Sequence, residues 1–182
     1  QSSISLQPAL TGAQTNNLLA PFGKKIGPDP ASINAAMIGG IAANNASGMC
    51  CGISQNSYKT LKSMKLIFSD GARLDTGCQE SKNEFRKTHQ EFLAKLKEIA
   101  SETKNDGELA SLIERKFKIK NTCGYSLNSL IDFDDEFDIL QHLIIGSEGT
   151  LAFIEEITYY TVEDLKDKAS ALIYFKNVEE AC

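Results

Sequence analysis

The chain has 182 residues, 42% of them hydrophobic and 24% charged, with a formal net charge of −5 from 19 Lys+Arg against 24 Asp+Glu. That composition, with only 4 prolines, excludes wholesale disorder and collagen-like or Pro-rich architecture. A chain of this size buries roughly 70% of its unfolded surface, enough for a core without staples.

The first predicted strand covers residues 3–7 and is closed by Pro8, and a helix over Gly12–Leu19 ends before Pro21. An uncharged stretch follows, residues 30–58, rich in Gly, Ala, Asn and Ser, with a short helix at its centre over Ile38–Asn44. Residues 61–68 and 72–76 read as a hairpin, with Asp70 for the turn and Gly71 for positive φ. Phe85, Phe92, Leu93, Leu96, Ile99 and Ala100 recur on one stripe of an amphipathic helix. A second helix starts at an expected N-cap, Asn105, three residues before Glu108, and carries Leu109, Leu112, Ile113 and Phe117 on one face. Strands are expected at 143–145, 151–162 and 171–175, the first two linked by the turn Gly146-Ser147-Glu148-Gly149. Strands, then helices, then strands argue an α+β fold with an antiparallel sheet.

Charge and cysteine placement narrow the setting. The densest basic stretch, residues 115–120, alternates with Phe117 and Ile119, so nucleic acid and acidic membrane surfaces are not expected partners. The longest apolar run, residues 35–43, is broken by Gly39 and Gly40 and is far short of the roughly 20 residues a bilayer span needs. The first ten residues lack the features of a signal peptide and do not begin with Met, which suggests a segment of something longer. Cys50, Cys51, Cys78, Cys123 and Cys182 include an adjacent pair but no C-x-x-C spacing. Free thiols in a reducing, cytoplasmic compartment are therefore expected, with neither a disulfide framework nor a metal site.

Two segments stand out as possible binding elements. Gly27-Pro28-Asp29-Pro30-Ala31-Ser32, followed by Ile38-Gly39-Gly40 and Asn44-Asn45-Ala46-Ser47-Gly48, offers backbone N–H groups and small side chains that can approach an anion closely. A tight turn plus a small-residue packing helix explains the same residues about equally well. The turn at Gly146-Ser147-Glu148-Gly149-Thr150 could present further backbone donors, or could simply link two strands. The acidic run Asp132, Asp134, Asp135, Glu136 and Asp138 lacks the spacing of a calcium loop and reads as a solvated loop. His89 and His142 have no nucleophile or ligand partner nearby in sequence. No catalytic residue can be assigned.

Taken together, GPDPASINAAMIGGIAANNASG, the SDG hairpin and IIGSEGTLAFIEEITYYTV, in that order, resemble the FAD-linked oxidases of the vanillyl-alcohol-oxidase (PCMH-type) flavoprotein superfamily. The closer likeness is to the branch of D-lactate, glycolate and D-2-hydroxyglutarate dehydrogenases. KNTCGYSLNSLIDFDDEFDIL and NNASGMCCG resemble its long members, in which a C-terminal iron–sulfur region follows the flavin part.

The resemblance implies a PCMH-type FAD-binding fold, mainly its second subdomain, with residues 80–120 as a helical insertion. It implies FAD as cofactor, bound by Pro28, Asp29, Ser32, Ile38, Gly39, Gly40, Asn44, Ala46, Ser47 and Gly48, with Glu148, Gly149 and Ile154 approaching it from the second motif. In the full-length parent it implies a small 2-hydroxy-acid substrate and hydride transfer from its C2 to flavin N5. The motifs specify no electron acceptor. The family's upstream phosphate loop and its C-terminal substrate-capping domain have no counterpart in residues 1–182, so an incomplete FAD-binding domain, inactive alone, is expected. The competing readings are a non-catalytic α+β module and the FAD domain of another flavoenzyme of this fold, nearer the murein-precursor reductases.

Overall fold

Strand β5 (Phe153–Glu163) organises the sheet. A computed structural model of the chain describes residues 2–122, 124–165, 167, 169 and 171–182. Within it, β5 pairs antiparallel with β1 (Ser3–Leu6), with β3 (Leu61–Ile67) and, at its far end, with β2 (Lys24–Ile26). β4 (Arg73–Asp75) pairs with β3 in the hairpin read from Asp70 and Gly71, giving a five-stranded sheet with the order β1-β5-β3-β4 and β2 added to β5. The turn forms as its residues dictate, with Asp70 accepting from Ala72 N at 2.9 Å and Gly71 at φ 85°.

Three helices connect the first three strands. α1 (Gly12–Leu19) starts at a reciprocal capping box, in which Thr11 Oγ1 accepts from Gln14 N and Gln14 Oε1 accepts from Thr11 N. It gives way at Pro21 to a turn that leads into β2, a strand with no clear signal in the sequence. α2 (Ile38–Asn44) and the single-turn α3 (Ser57–Thr60) then lead into β3.

The middle third is helical, in three pieces. α4 (Gln79–Thr88) and α5 (Gln90–Asn105) are separated at His89, so the expected single stripe is divided. Phe85, Leu93, Leu96 and Ala100 join the core, whereas Phe92 and Ile99 are more than 40% exposed. α6 (Gly107–Phe117) is capped by Asp106, not Asn105; Asp106 Oδ1 accepts from Leu109 N at 3.0 Å, and α5 runs on through Asn105. Only Ile113 of its expected apolar face is buried.

The acidic run is structural. After α7 (Ser129–Asp132), Asp135 caps α8 (Glu136–Ile144) by accepting from Phe137 N and Asp138 N. Glu136 is buried against Arg86, and Asp134 pairs with Lys104. The strand expected at 143–145 is instead the end of α8, whose Phe137, Ile139, Leu140 and Ile144 pack into the core with Met64, Leu66, Ile154, Ile157 and Tyr159. A short apolar run has the same appearance in a buried helix and a buried strand. The strand expected over 151–162 forms over Phe153–Glu163, and residues 171–175 form no strand. α9 (Val178–Ala181) ends the described elements. No helix among the described residues is long and apolar enough to cross a membrane.

Candidate cofactor-binding site

The two glycine-bearing segments meet at the C-terminal end of α2. A helix end leaves carbonyls without intrahelical partners, and here the later turn supplies donors to two of them. Gly146 N donates to Ala42 O at 3.1 Å, and Glu148 N donates to Ala43 O at 2.9 Å. Asn44 Nδ2 completes the junction by donating to Glu148 Oε1 at 2.6 Å. Both sides of the contact carry a non-glycine residue in the left-handed region, Asn45 at φ 51° and Glu148 at φ 54°. The turn thus links α8 to β5 and closes α2. Gly149 is exposed beside Glu148, and Ser147 Oγ is buried without a hydrogen-bond partner among the described residues.

Asn45 fastens this junction to the rest of the fold. It is buried, its N–H donates to Ala42 O, and its Oδ1 accepts from Tyr58 N at 3.4 Å. The Tyr58 hydroxyl donates in turn to Asp132 at 2.8 Å, and burial together with that carboxylate raises the phenol pKa. The Tyr58 ring meets His142 edge-on, and His142 stacks on Phe133 with ring centroids 4.1 Å apart.

Asp29 holds the loop that follows α2. Its carboxylate accepts from Gly48 N at 2.8 Å and from Cys50 N and Cys51 N at 3.2 Å. Partial burial acts to raise its pKa, but the hydrogen bonds from Cys51 and Gly48 outweigh it and keep the carboxyl below its ordinary range. Asp29 therefore orders a loop some 20 residues away rather than its own turn. Gly48 is required by this packing, because a Cβ there would lie 2.0 Å from Asp29 O. Burial raises the pKa of the Cys51 thiol, and the adjacent Asp29 carboxylate adds to the shift.

The remaining residues fall into two sets. Ile38 and Ile154 have side chains buried in the core, and Pro28 is buried beneath the loop. Gly39 packs against Pro8, which would stand 2.8 Å from an added Cβ. Gly40 instead faces open space, as do the exposed Ser32, Glu148 and Gly149. Ser47 is buried and Ala46 half-buried, and the Ser47 carbonyl accepts from Lys120 Nζ. Asn45 and Lys120 were not legible as site residues: one is a single Asn among several, and the other lies outside both motifs. No group of three or more His, Cys, Asp or Glu among the described residues could hold a metal ion.

This arrangement suits a polar, anionic cofactor. Backbone and small side chains face an open depression of about 650 Å³, a lysine stands at its edge, and the nearby carboxylate is already engaged by amides. A family comparison agrees. Residues 1–77 match the family described as FAD binding domain. Over 167 residues the chain is 25% identical to D-2-hydroxyglutarate dehydrogenase of Pantoea ananatis (strain AJ13355), and over 157 residues 24% identical to that of Haemophilus influenzae (strain ATCC 51907 / DSM 11121 / KW20 / Rd). These alignments take in 86% and 84% of this chain but 15% of each relative. A solved alkyldihydroxyacetonephosphate synthase superposes with a TM-score of 0.48 at 17% identity, covering 89% of this chain and 20% of that one. The cofactor indicated for this part of the chain is FAD, from the match of residues 1–77 to the FAD binding domain family.

Proposed function

We propose that residues 1–182 supply one share of the FAD-binding domain of a flavin-dependent D-2-hydroxy-acid dehydrogenase, acting on D-2-hydroxyglutarate, D-lactate or a close relative. The observation that carries this reading is the docking of Glu148 and Gly146 onto the end of α2, which sets both candidate cofactor segments side by side. The two D-2-hydroxyglutarate dehydrogenases similar to this chain support the substrate class. The likeness of residues 120–140 and 44–52 to the long members of the branch supports placing the parent among them. The cysteine spacing, with an adjacent pair and no C-x-x-C, supports a reducing, cytoplasmic setting.

When bound, the flavin supplies acceptance of a hydride from the substrate carbon. The residues described here would bind and orient it. Backbone donors and small side chains of 38–48 would lie along its polar part, Pro28, Asp29 and Ser32 would set the neighbouring loop, and Glu148 and Gly149 would close the approach from the second motif. Ile38 and Ile154 would support these segments from the core.

A titration of this chain with FAD, followed by quenching of flavin fluorescence, tests the reading. Saturable binding is expected, because hydrogen bonds to a charged group contribute about 1.5–3 kcal/mol each. No saturation at any FAD concentration would overturn it.

A further inference from the structure

Lys120 enters the site from an unexpected direction. It follows α6, outside both cofactor motifs, and its ammonium reaches back 73 residues to donate to the carbonyl of Ser47. There it lines the open depression of about 650 Å³ whose other walls are Asp29, Ala31, Ser47, Gly48, Met49 and Gly52. Asp29, Ser47 and Gly48 already belong to the candidate cofactor set.

The charges in this depression are met differently. The Asp29 carboxylate is engaged by three backbone N–H groups of the loop it holds. Lys24, Lys65, Lys97 and Lys104 all sit within ion-pair distance of a carboxylate, whereas Lys120 has no carboxylate partner among the described residues. A carbonyl oxygen orients an ammonium without neutralising it, and two of the three N–H donors of a lysine remain free for a further acceptor. A chain of net charge −5 thus presents an uncompensated cation at this edge.

We infer that Lys120 is an anion-pairing residue of the cofactor site, held by Ser47 O so that its ammonium meets a phosphate oxygen of the flavin's diphosphate. The inference rests on the function proposed above and extends it to a residue outside both motifs. It also gives the segment after the helical pieces a place in the site, because Lys120 draws that segment over the loop at 47–52.

The test compares FAD with riboflavin, which lacks the diphosphate, in titrations of the wild-type chain, K120Q and K120R. K120Q is expected to raise the Kd for FAD roughly ten- to a hundredfold, the range for losing one charge-assisted hydrogen bond, and to leave riboflavin binding unchanged. K120R keeps the charge and should retain most of the FAD affinity. Added KCl should weaken FAD binding by the wild type and by K120R, and do so less for K120Q. Unchanged FAD affinity in K120Q, or equal losses for FAD and riboflavin, would overturn the inference while leaving the FAD site standing; the second result would assign Lys120 to holding the loop alone. Should K120Q fail to fold, FAD binding by the wild type that is insensitive to KCl would overturn it as well. No saturable FAD binding by the wild type would overturn the function and this inference together.

Discussion

Asn44 and Glu148 lie 104 residues apart and share a 2.6 Å hydrogen bond, Nδ2 to Oε1, at the point where the two candidate cofactor segments join. The bond is exposed, so water competes for both partners, and the amides of Gly146 and Glu148 hold the same junction independently. A double-mutant cycle of N44A and E148A should give a coupling of about 0.5–1 kcal/mol in urea unfolding. Coupling indistinguishable from zero would mean that the backbone contacts alone bring the segments together.

The glycines of the site should behave differently from one another. Gly40 faces open space, so G40A should be neutral or stabilising by up to about 1 kcal/mol, the helix-interior difference between Gly and Ala. G40V should lower FAD affinity without unfolding the chain. Gly39 abuts Pro8, and Gly48 abuts Asp29 O, so side chains there disturb the fold itself. G48A should destabilise by about 1–3 kcal/mol, the usual cost of overpacking. Parallel denaturation curves and flavin titrations separate these cases, and a G48A protein as stable as the wild type would contradict the close approach.

Thiol reactivity reports on the Asp29 clamp. Cys50 and Cys182 are exposed, whereas Cys51 is buried with its thiol pKa raised by burial and by Asp29. With an aromatic disulfide reagent, Cys50 and Cys182 should react first in the native chain and Cys51 much later. In D29N the loop loses its carboxylate acceptor, and Cys51 should react faster. Equal rates for Cys51 in the two proteins would show that the loop holds without Asp29. In denaturant all five thiols are expected to titrate, including Cys123, which lies outside the described residues.

His142 should give the chain a measurable pH dependence. Burial lowers its pKa despite the opposing influence of the Asp138 carbonyl and the Asp138 and Asp132 carboxylates; Lys59 assists the lowering. On acidification the unfolded chain takes up a proton on this imidazole before the folded chain does. Stability is therefore complete above the ordinary histidine value, about 6.5, and is lost as pH falls below it. H142F, which keeps a ring against Phe133, should abolish this slope. Urea midpoints between about pH 7.5 and 5.5 would show it, because carboxylates such as Asp29 and Glu136, held low in the fold, lose their contribution only at lower pH. The same slope in wild type and H142F would remove His142 as its source.

The chain alone should not oxidise a 2-hydroxy acid. Oxidation at C2 needs a base within reach of the hydroxyl proton, and the available groups are occupied. Asp29 is held by amides, Glu148 by Asn44, and His89 by Asp70 and Thr88, while His142 is buried. Anaerobic mixing with excess FAD and D-2-hydroxyglutarate should leave flavin absorbance unchanged. Bleaching above a protein-free control would place a working base within these residues.

Local signals were read well and long-range ones were not. Asp70 with Gly71 is a short-range device, and the hairpin it specifies forms where its spacing puts it; the helix over Gly12–Leu19 likewise ends before Pro21. The ends of α2 were equally legible from its run of small residues between Met37 and Asn45. What failed depended on partners far along the chain. Leu143 and Ile144 look strand-like in sequence, yet the core places them in α8, and nothing beside Asp29 in sequence signals the amides of residues 48–51 that its carboxylate accepts. His89, where the helical stripe divides, stacks on Phe85 and bonds Asp70, contacts that no periodicity reveals. Most candidate site residues carry their signal locally, as glycines and small side chains; Lys120 does not, because its meaning lies in Ser47.

The pairing of β1 with β5 also governs the order in which the molecule can form. Ser3 stands opposite Tyr160 and Leu6 opposite Ile157, so the earliest strand has no partner until nearly the last one exists. At ordinary synthesis speeds of about 5–20 residues per second, the interval between them is on the order of ten seconds. The hairpin of β3 and β4 and the helices α4 to α6 are local and can form in microseconds during that wait. The candidate cofactor segment thus remains without its central strand while its neighbours are already shaped. High contact order of this kind slows folding and leaves strand edges exposed to other chains. Until β5 is made, the edges of β1 and β3 that it covers stay open to pairing with another chain.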